Sequence, residues 1–457
     1  MSSGRDGFCA RGASRGKLRI AWPPLCDRLL SCAAQSDSVR IEQPILASAP
    51  VVEIPVPGSS FRLPPGWSAD PDVLARPYDL FSQLQQHPAV HYDEDLAAWL
   101  VARAEDVKAL LRHEALSAGA VGAFFERGTP TFRKEFAELE RFFTSWMVFS
   151  DGQSHLRLRA FLAPLMTSAA VEECEAAIEA ASIVRIPEDL PEGCDVLHDV
   201  IRPYAADSLA NYLGVGLARF QEVHSWCDSL IGFIGTSSPT KPRAREANRA
   251  LHGLRAFLAE EVAAIRRGAQ RPPLLAAIAT LPDVEAVATF AQLLTGSFEP
   301  VSSALGVAVH ALASSEVQLQ MVLNDEVAPG QLVDEILRFA TPFRLAPRVA
   351  KNTICYGGVT MDRGERVLLL LAAANRDPAW FPNPHVFDLA RLASSHLAFG
   401  HGVHRCLGFL FTRSLLLIAL RRLAPALRGL RPVQAELELH PLLGATTPVS
   451  VVLTRAP

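Results

Sequence analysis

Phe399-Gly400-His401-Gly402-Val403-His404-Arg405-Cys406-Leu407-Gly408 runs directly into a helical apolar stretch, Leu407–Ala424. Gly400 and Gly402 let the backbone turn tightly and approach a flat ligand closely. Cys406 falls at the junction of loop and helix. There the first helical N–H groups lack internal partners and can donate to a thiolate sulfur. A thiolate held this way can ligate a metal, and its hydrogen bonds temper the electron density it donates. A lone cysteine in a glycine-rich turn would read as a buried structural thiol. Here an aromatic residue, glycines, a histidine and the cysteine are fixed together in one pattern, F-G-x-G-x-H-x-C-x-G.

The rest of the chain narrows the class of protein. It has 457 residues, 49% of them hydrophobic, and a net charge of −4 with no long basic run. That composition supports a large core and argues against nucleic acid or an anionic membrane surface as partner. Eight cysteines, at 9, 26, 32, 174, 194, 227, 355 and 406, form no C-x-x-C pair, which fits reduced thiols in a cytoplasmic protein. No apolar run approaches the roughly 20 residues of a membrane span. Pro23, Pro24, Asp27 and Arg28 interrupt the apolar patch around Ile20–Leu30, a poor fit to a secretion signal. Residues 1–60, rich in Ser, Gly, Arg, Ala and Pro, read as a flexible N-terminal extension, and residues 61–457 as one catalytic domain.

Apolar spacing predicts helices over Tyr78–Gln86, Ala104–Arg112, Ala169–Ala181, Glu246–Arg267 and Val284–Ala313. Short strands are expected at Ala89–His91, Ala98–Val101, Val359–Met361, Arg366–Leu371 and Val449–Leu453, and the whole apolar run Val367–Ala374 reads as a strand. The expected class is mainly α (α+β), a helix-rich domain with small β-sheets.

The cysteine segment closely resembles the heme-binding loop of the cytochrome P450 family, and the likeness runs from about residue 62 to the end. It implies the P450 fold, with heme b between a distal helix and the proximal helix that follows Cys406. Cys406 is then the iron ligand, and Phe399, Gly400 and Gly408 shape its loop. Glu335-Ile336-Leu337-Arg338 matches the family's E-x-x-R, a pair three residues apart on one helix face. The resemblance gives Glu335 and Arg338 a structural role beneath the cysteine loop, with Arg391 as third partner. Asn375-Arg376-Asp377-Pro378 and Phe381-Pro382-Asn383-Pro384 resemble the meander before the loop. Ser154–Arg159 resembles the family's C helix. His155 and Arg159 share a face there and, with Arg348 and His404, are expected to serve the heme propionates, while Arg157 points elsewhere.

The distal helix departs from the family pattern A-G-x-(D/E)-T-T. Glu299 takes the acid position, but Pro300 and Val301 replace both hydroxyl residues, with Ser302 next. Pro300 has no N–H for the Gly296 carbonyl, so a kink is expected there. Proton delivery is then expected to rest on Glu299, ordered water or a polar group of the substrate. Segments that line the family's pocket contain Phe124, Phe125, Ile231, Phe233, Ile234, Phe298, Phe343, Arg344, Leu345 and Ala346. The aromatic residues read either as pocket walls or as core, and Arg344 as a contact to substrate, propionate or surface.

The resemblance thus implies an oxidoreductase of the EC 1.14 class that activates O2 to hydroxylate or epoxidise a small, largely apolar molecule in bacterial secondary metabolism. Other oxidative chemistry on the same scaffold, or a noncatalytic heme sensor, is the competing reading. Electrons would come from NAD(P)H through a separate ferredoxin and ferredoxin reductase. Lys108, Arg112, Arg405 and Arg413 offer a docking face or ordinary surface charge, and the protein is expected to be a monomer.

Overall fold

A computed structural model describes residues 62–455, apart from 88–89, 127, 236–239 and 392–394. The expected extension over 1–60, Cys9, Cys26, Cys32 and Ala89 of the first expected strand lie outside the described residues.

The helices that frame the site are, in chain order, α1 (Tyr78–Gln85), α2 (Ala104–Leu110), α3 (Gly152–Leu162), α4 (Ser168–Arg185), α5 (Arg202–Leu213), α6 (Leu217–Ile234), α7 (Lys241–Arg266), α8 (Asp283–Thr295), α9 (Phe298–Ala313), α10 (Glu316–Leu323), α11 (Pro329–Ala340) and α12 (Phe409–Ala426). The strands are β1 (His91–Asp93), β2 (Ala98–Val101), β3 (Leu116–Ser117), β4 (Ala346–Ala350), β5 (Ile354–Tyr356), β6 (Val359–Met361), β7 (Arg366–Leu369), β8 (Leu430–Pro432) and β9 (Leu453–Arg455). A five-stranded sheet has the order β1-β2-β7-β4-β3, and β5-β6 and β8-β9 form two-stranded sheets.

Every residue of β2 is buried, because the sheet is covered on both faces. Side chains alternate along a strand, so β2 serves two cores. Trp99 and Val101 pack with Val107 and Leu110 of α2, whereas Ala98 and Leu100 pack with Phe81 and Leu84 of α1. β2 and β7 pair in parallel, Val101 opposite Leu369, and β4 runs antiparallel beside β7. The strand expected over Val367–Ala374 stops at Leu369, and Leu371–Ala374 forms a helical turn. Its carbonyls are better satisfied locally: the Ala374 and Asn375 N–H groups donate to Leu370 and Leu371. The last strand lies at Leu453–Arg455 rather than Val449–Leu453. Val452 instead forms an isolated bridge with Asp195.

The long helix expected over Val284–Ala313 is broken into α8 and α9. The break falls at Gly296–Ser297, one turn before the proline. The Ser297 hydroxyl donates to the Leu293 carbonyl at 2.6 Å, and the Val301 N–H donates to the Ser297 carbonyl at 3.1 Å. Pro300 is therefore the third residue of a new helix, where no intrahelical N–H bond is required. It offers nothing to the Gly296 carbonyl, and among the described residues no other backbone donor reaches that oxygen. Beyond the break, α9 is apolar and buried on almost every face, as a helix through the centre of a large protein must be.

α11 starts with Pro329 at its first position and ends on Thr341, which has a left-handed φ of 37°. A β-branched residue is strained there. The Thr341 hydroxyl holds the turn by donating to the Arg338 carbonyl at 2.8 Å and accepting from the Asn375 amide at 2.8 Å. Among the described residues no helix is long and apolar enough to cross a membrane.

Candidate active site at the cysteine loop

The loop before α12 is closed by its own backbone. The Cys406 N–H donates to the Phe399 carbonyl at 2.8 Å, and the Gly400 N–H to the Leu397 carbonyl at 2.8 Å. Gly400 and Gly402 adopt φ of 66° and 75°, which only glycine takes without strain. At Gly402 a Cβ would also meet Arg112 Cγ at 3.0 Å and the Leu111 carbonyl at 3.2 Å. The half-buried Cys406 thiol is pushed up by burial, opposed by the Gly408 N–H and by the charges of Arg159 and Arg405. All three opposing groups favour a thiolate, the form that ligates a metal.

Beneath the loop, Arg338 is almost fully buried. Its Nε and Nη2 donate to the two Glu335 oxygens at 2.7 and 2.8 Å, and it also reaches the carbonyls of Asn375, Pro384 and Val386 at 2.8–3.0 Å. Arg391 stands 3.2 Å from Glu335, so the third partner expected from sequence is in place. Asn375 passes the linkage on: its side-chain oxygen accepts from the Leu397 N–H at 2.7 Å. The buried ion network is thus tied through two hydrogen bonds to the segment that carries Phe399 and Cys406.

Cationic and donor groups converge from three elements. The His155 ring of α3 and the His404 ring of the loop lie 4.1 Å apart. His404 Nε2 is 3.4 Å from Asp151, whose carboxyl also accepts from Ser117 and the Ala118 N–H. Burial would raise the Asp151 pKa, yet these partners hold it well below the usual carboxylate range. Burial, helped by the neighbouring His404 and Arg159 charges, pushes His155 down to about 4. Its Nε2 is buried with no partner among the described residues. Arg348, also buried, reaches the Pro347 carbonyl at 2.8 Å. Arg157 is exposed and pairs with Glu285.

On α9, Glu299 is held from two other helices. Arg202 donates to both its oxygens, at 3.1 and 2.6 Å, and His224 Nε2 stands 3.9 Å from Oε1. Burial alone would raise the Glu299 pKa, but Arg202, His224 and His440 together lower it. Pro300 is half-buried beside it, while Val301 and Ser302 are fully buried. The Ser302 hydroxyl has no hydrogen-bond partner among the described residues. Arg202 and His224 were not legible beforehand, because nothing local in sequence marks residues that meet Glu299 from distant helices.

A sequence profile of the cytochrome P450 family matches residues 330–424, the span from α11 to α12. The nocardicin C N-oxygenase of Nocardia uniformis is 30% identical over 351 residues, covering 74% of this chain and 84% of its own length. The chain belongs to the cytochrome P450 family. The biotin biosynthesis cytochrome P450 of Bacillus subtilis is 28% identical over 389 residues, covering 82% of this chain and 95% of that one. A crystal structure of P450BioI in complex with a hexadec-9Z-enoic acid ligated acyl carrier protein superposes with a TM-score of 0.75 at 26% identity, over 84% of this chain and 99% of that one. P450 enzymes are heme-dependent oxidoreductases of the monooxygenase class, fed with electrons from NAD(P)H by redox partners, and this chain is one of them.

The residues present fit heme. Cys406 offers a soft sulfur donor with a hydrogen bond to it, Gly400 and Gly402 keep side chains off the loop, and the unpartnered His155 Nε2 with Arg159 and Arg348 suits two carboxylates.

The residues expected to line a pocket differ in their exposure. Phe125, Phe233 and Phe298 are completely buried. Phe125 and Phe233 belong to an aromatic core with Phe132 and Phe143, and Phe298 is boxed by Arg202, Phe220 and His224. Arg344 is buried, its guanidinium taken up by the carbonyls of Leu74 and Leu442 and by Thr446. It ties the first helices to the C-terminal segment and lies away from the surface. Leu345 packs against the sheet-side core, while Phe343 is 46% exposed and half-buried Phe124, Ile231 and Ile234 keep accessible faces. Of the expected docking cations, Lys108, Arg112 and Arg405 all act on His401 beside the cysteine loop. Arg413 does not join them, since it pairs with Asp334 and donates to the Gly330 carbonyl.

Proposed function

We propose that this P450 oxidises a small, largely apolar molecule at a heme held by Cys406, and that residues 61–457 act as one catalytic domain. The observation that carries this reading is the cysteine loop, whose sulfur accepts the Gly408 N–H between Arg159 and Arg405. Bound there, heme supplies the activation of O2 that the monooxygenase reaction needs. His155, Arg159, Arg348 and His404 would hold its propionates. Cys406 would stay anionic with help from Gly408, and Glu335, Arg338 and Arg391 would keep the loop rigid beneath it. On the distal side, the free carbonyl of Gly296 can accept from a water or a substrate hydroxyl, a place the usual threonine hydroxyls would otherwise serve.

Lys108, Arg112 and Arg405, beside exposed Val403, would dock an acidic ferredoxin on the face nearest the sulfur. The monomeric state and a cytoplasmic setting belong to the same proposal. A second reading, desaturation, coupling or peroxide-driven chemistry on the same scaffold, is favoured by Pro300 and Val301 in place of hydroxyl residues.

A screen of small apolar metabolites by the heme spin-state change, followed by product analysis, tests the proposal. A ligand that shifts the spin state and returns with one added oxygen is the expected result. A product lacking that oxygen would favour the second reading. Heme-loaded protein that consumes no O2 with any spin-shifting ligand would overturn both.

A further inference from the structure

α6 carries a histidine in an unusual setting. His224 is 7% exposed, with Nδ1 3.2 Å from Asp228 Oδ2 and Nε2 3.9 Å from Glu299 Oε1. One ring thus stands between two carboxylates on opposite nitrogens. The ring plane is fixed as well: it meets Phe298 edge-on at 4.4 Å and lies nearly parallel to Phe220. Glu299 is fixed by the bidentate Arg202, whose guanidinium also covers the Phe298 face at 4.9 Å. Asp228 is 28% exposed and Glu299 20%, so water reaches both ends of the path.

We propose that His224 is a relay residue that carries protons between Asp228 and Glu299 on the distal side of the heme site. A proton enters at Nδ1 from the Asp228 end. The proton on Nε2 leaves toward Glu299, across a 3.9 Å gap that one water spans, and the ring is left in its other tautomer. No electron is moved and no further reactant is needed. The groups facing this path are Arg202 from α5, Asp228 on the same helix, Glu299 from α9 and His440 from the C-terminal segment. Arg202 acts as a positioning residue, aiming Glu299 Oε1 at the ring. The relay supplies a proton route where Pro300 and Val301 lack hydroxyls, and it rests on the proposed O2-activating function.

The test uses heme-loaded wild type, His224→Gln, Glu299→Gln and the double variant, each reduced through a surrogate ferredoxin and reductase without added substrate. Oxygen consumption is followed from pH 6 to 8.5 in H2O and D2O. Heme content and the carbonyl spectrum are recorded for every protein. H224Q is expected to consume oxygen about tenfold more slowly or worse, the low end of general acid–base effects. It is also expected to show a larger solvent isotope effect and a changed pH profile. The double variant should be no slower than the slower single one, because both residues lie on one path. H224Q with the wild-type rate and isotope effect overturns the relay, as does a multiplicative loss in the double variant. Thermal midpoints of the same four proteins give a readout free of turnover: a His224–Glu299 coupling of zero would overturn the contact itself. Wild type that binds no heme would overturn the proposed function instead, so the two failures are distinguishable.

Discussion

Arg338→Ala should be the most damaging change outside the heme contacts. The guanidinium makes five hydrogen bonds, to both Glu335 oxygens and to three carbonyls, in a site only 1% exposed. Truncation leaves Glu335 buried with Arg391 at 3.2 Å and the Asp388 N–H at 2.9 Å as its remaining support. Removing one partner of a buried pair costs about 3–5 kcal/mol. Unfolding entropy near 2.1 cal/mol/K per residue gives about 1 kcal/mol per kelvin for 457 residues, so the midpoint should fall by about 4 °C. Heme occupancy should fall with it, because Asn375 hands the network on to Leu397 and the loop. Arg338→Lys should recover only part of the loss, since an ammonium cannot fork to both oxygens. Glu335→Leu combined with Arg338→Leu should be milder than Arg338→Ala, as no buried carboxylate is left short of its guanidinium and the half-buried Arg391 keeps its carbonyl contacts to Pro382, Asn383 and Val386. Thermal scans and heme-to-protein ratios measure all three. An Arg338→Ala protein with full heme and a midpoint within about 1 °C of wild type would refute the reasoning.

Gly402→Ala should lose more stability and heme than Gly400→Ala. Both incur the left-handed penalty of about 1–2 kcal/mol, but only at Gly402 would the Cβ also press on Arg112 and Leu111. Equal losses in thermal scans would count against that packing. Glu299 titrates below its ordinary value in the folded protein, so its contribution to stability is present above the unfolded pKa and is lost as pH falls through the folded one. Urea midpoints from pH 3 to 7 should therefore drop less steeply below about pH 4.5 in Glu299→Gln than in wild type, and parallel curves would contradict the Arg202 pairing. Charge reversal at Arg112 or Arg405 should weaken ferredoxin-dependent reduction mainly at low salt, whereas reversal at Arg413 should act through stability because it is already paired. Stopped-flow reduction rates with equal salt dependence in all three variants would argue against a docking face there.

The parts of this site that sequence revealed are those whose geometry is local. Gly400, Gly402 and Cys406 constrain one another within a short loop, and Glu335 and Arg338 meet because residues three apart share a helix face. Arg391 followed from its place in the meander. Glu299 was legible as an acid, but its setting was not: Arg202 comes from α5 and His224 from α6, and only helix packing brings them there. For the same reason Phe125, Phe233 and Phe298 read from sequence as wall or core alike. Apolar side chains serve a wall or a core equally well, and their neighbours decide which. The proline announced a disturbance in the distal helix, yet its missing N–H is tolerated in a first turn. The helix therefore ended earlier, where the Ser297 hydroxyl could bond the Leu293 carbonyl.

The claim everything else depends on is that a sulfur anion from Cys406 binds iron. Purified protein reduced under carbon monoxide tests it in one spectrum. The account predicts the strongly red-shifted Soret band of a thiolate-ligated ferrous carbonyl, lost on Cys406→Ala. A spectrum typical of nitrogen-ligated heme, or none at all, would contradict it.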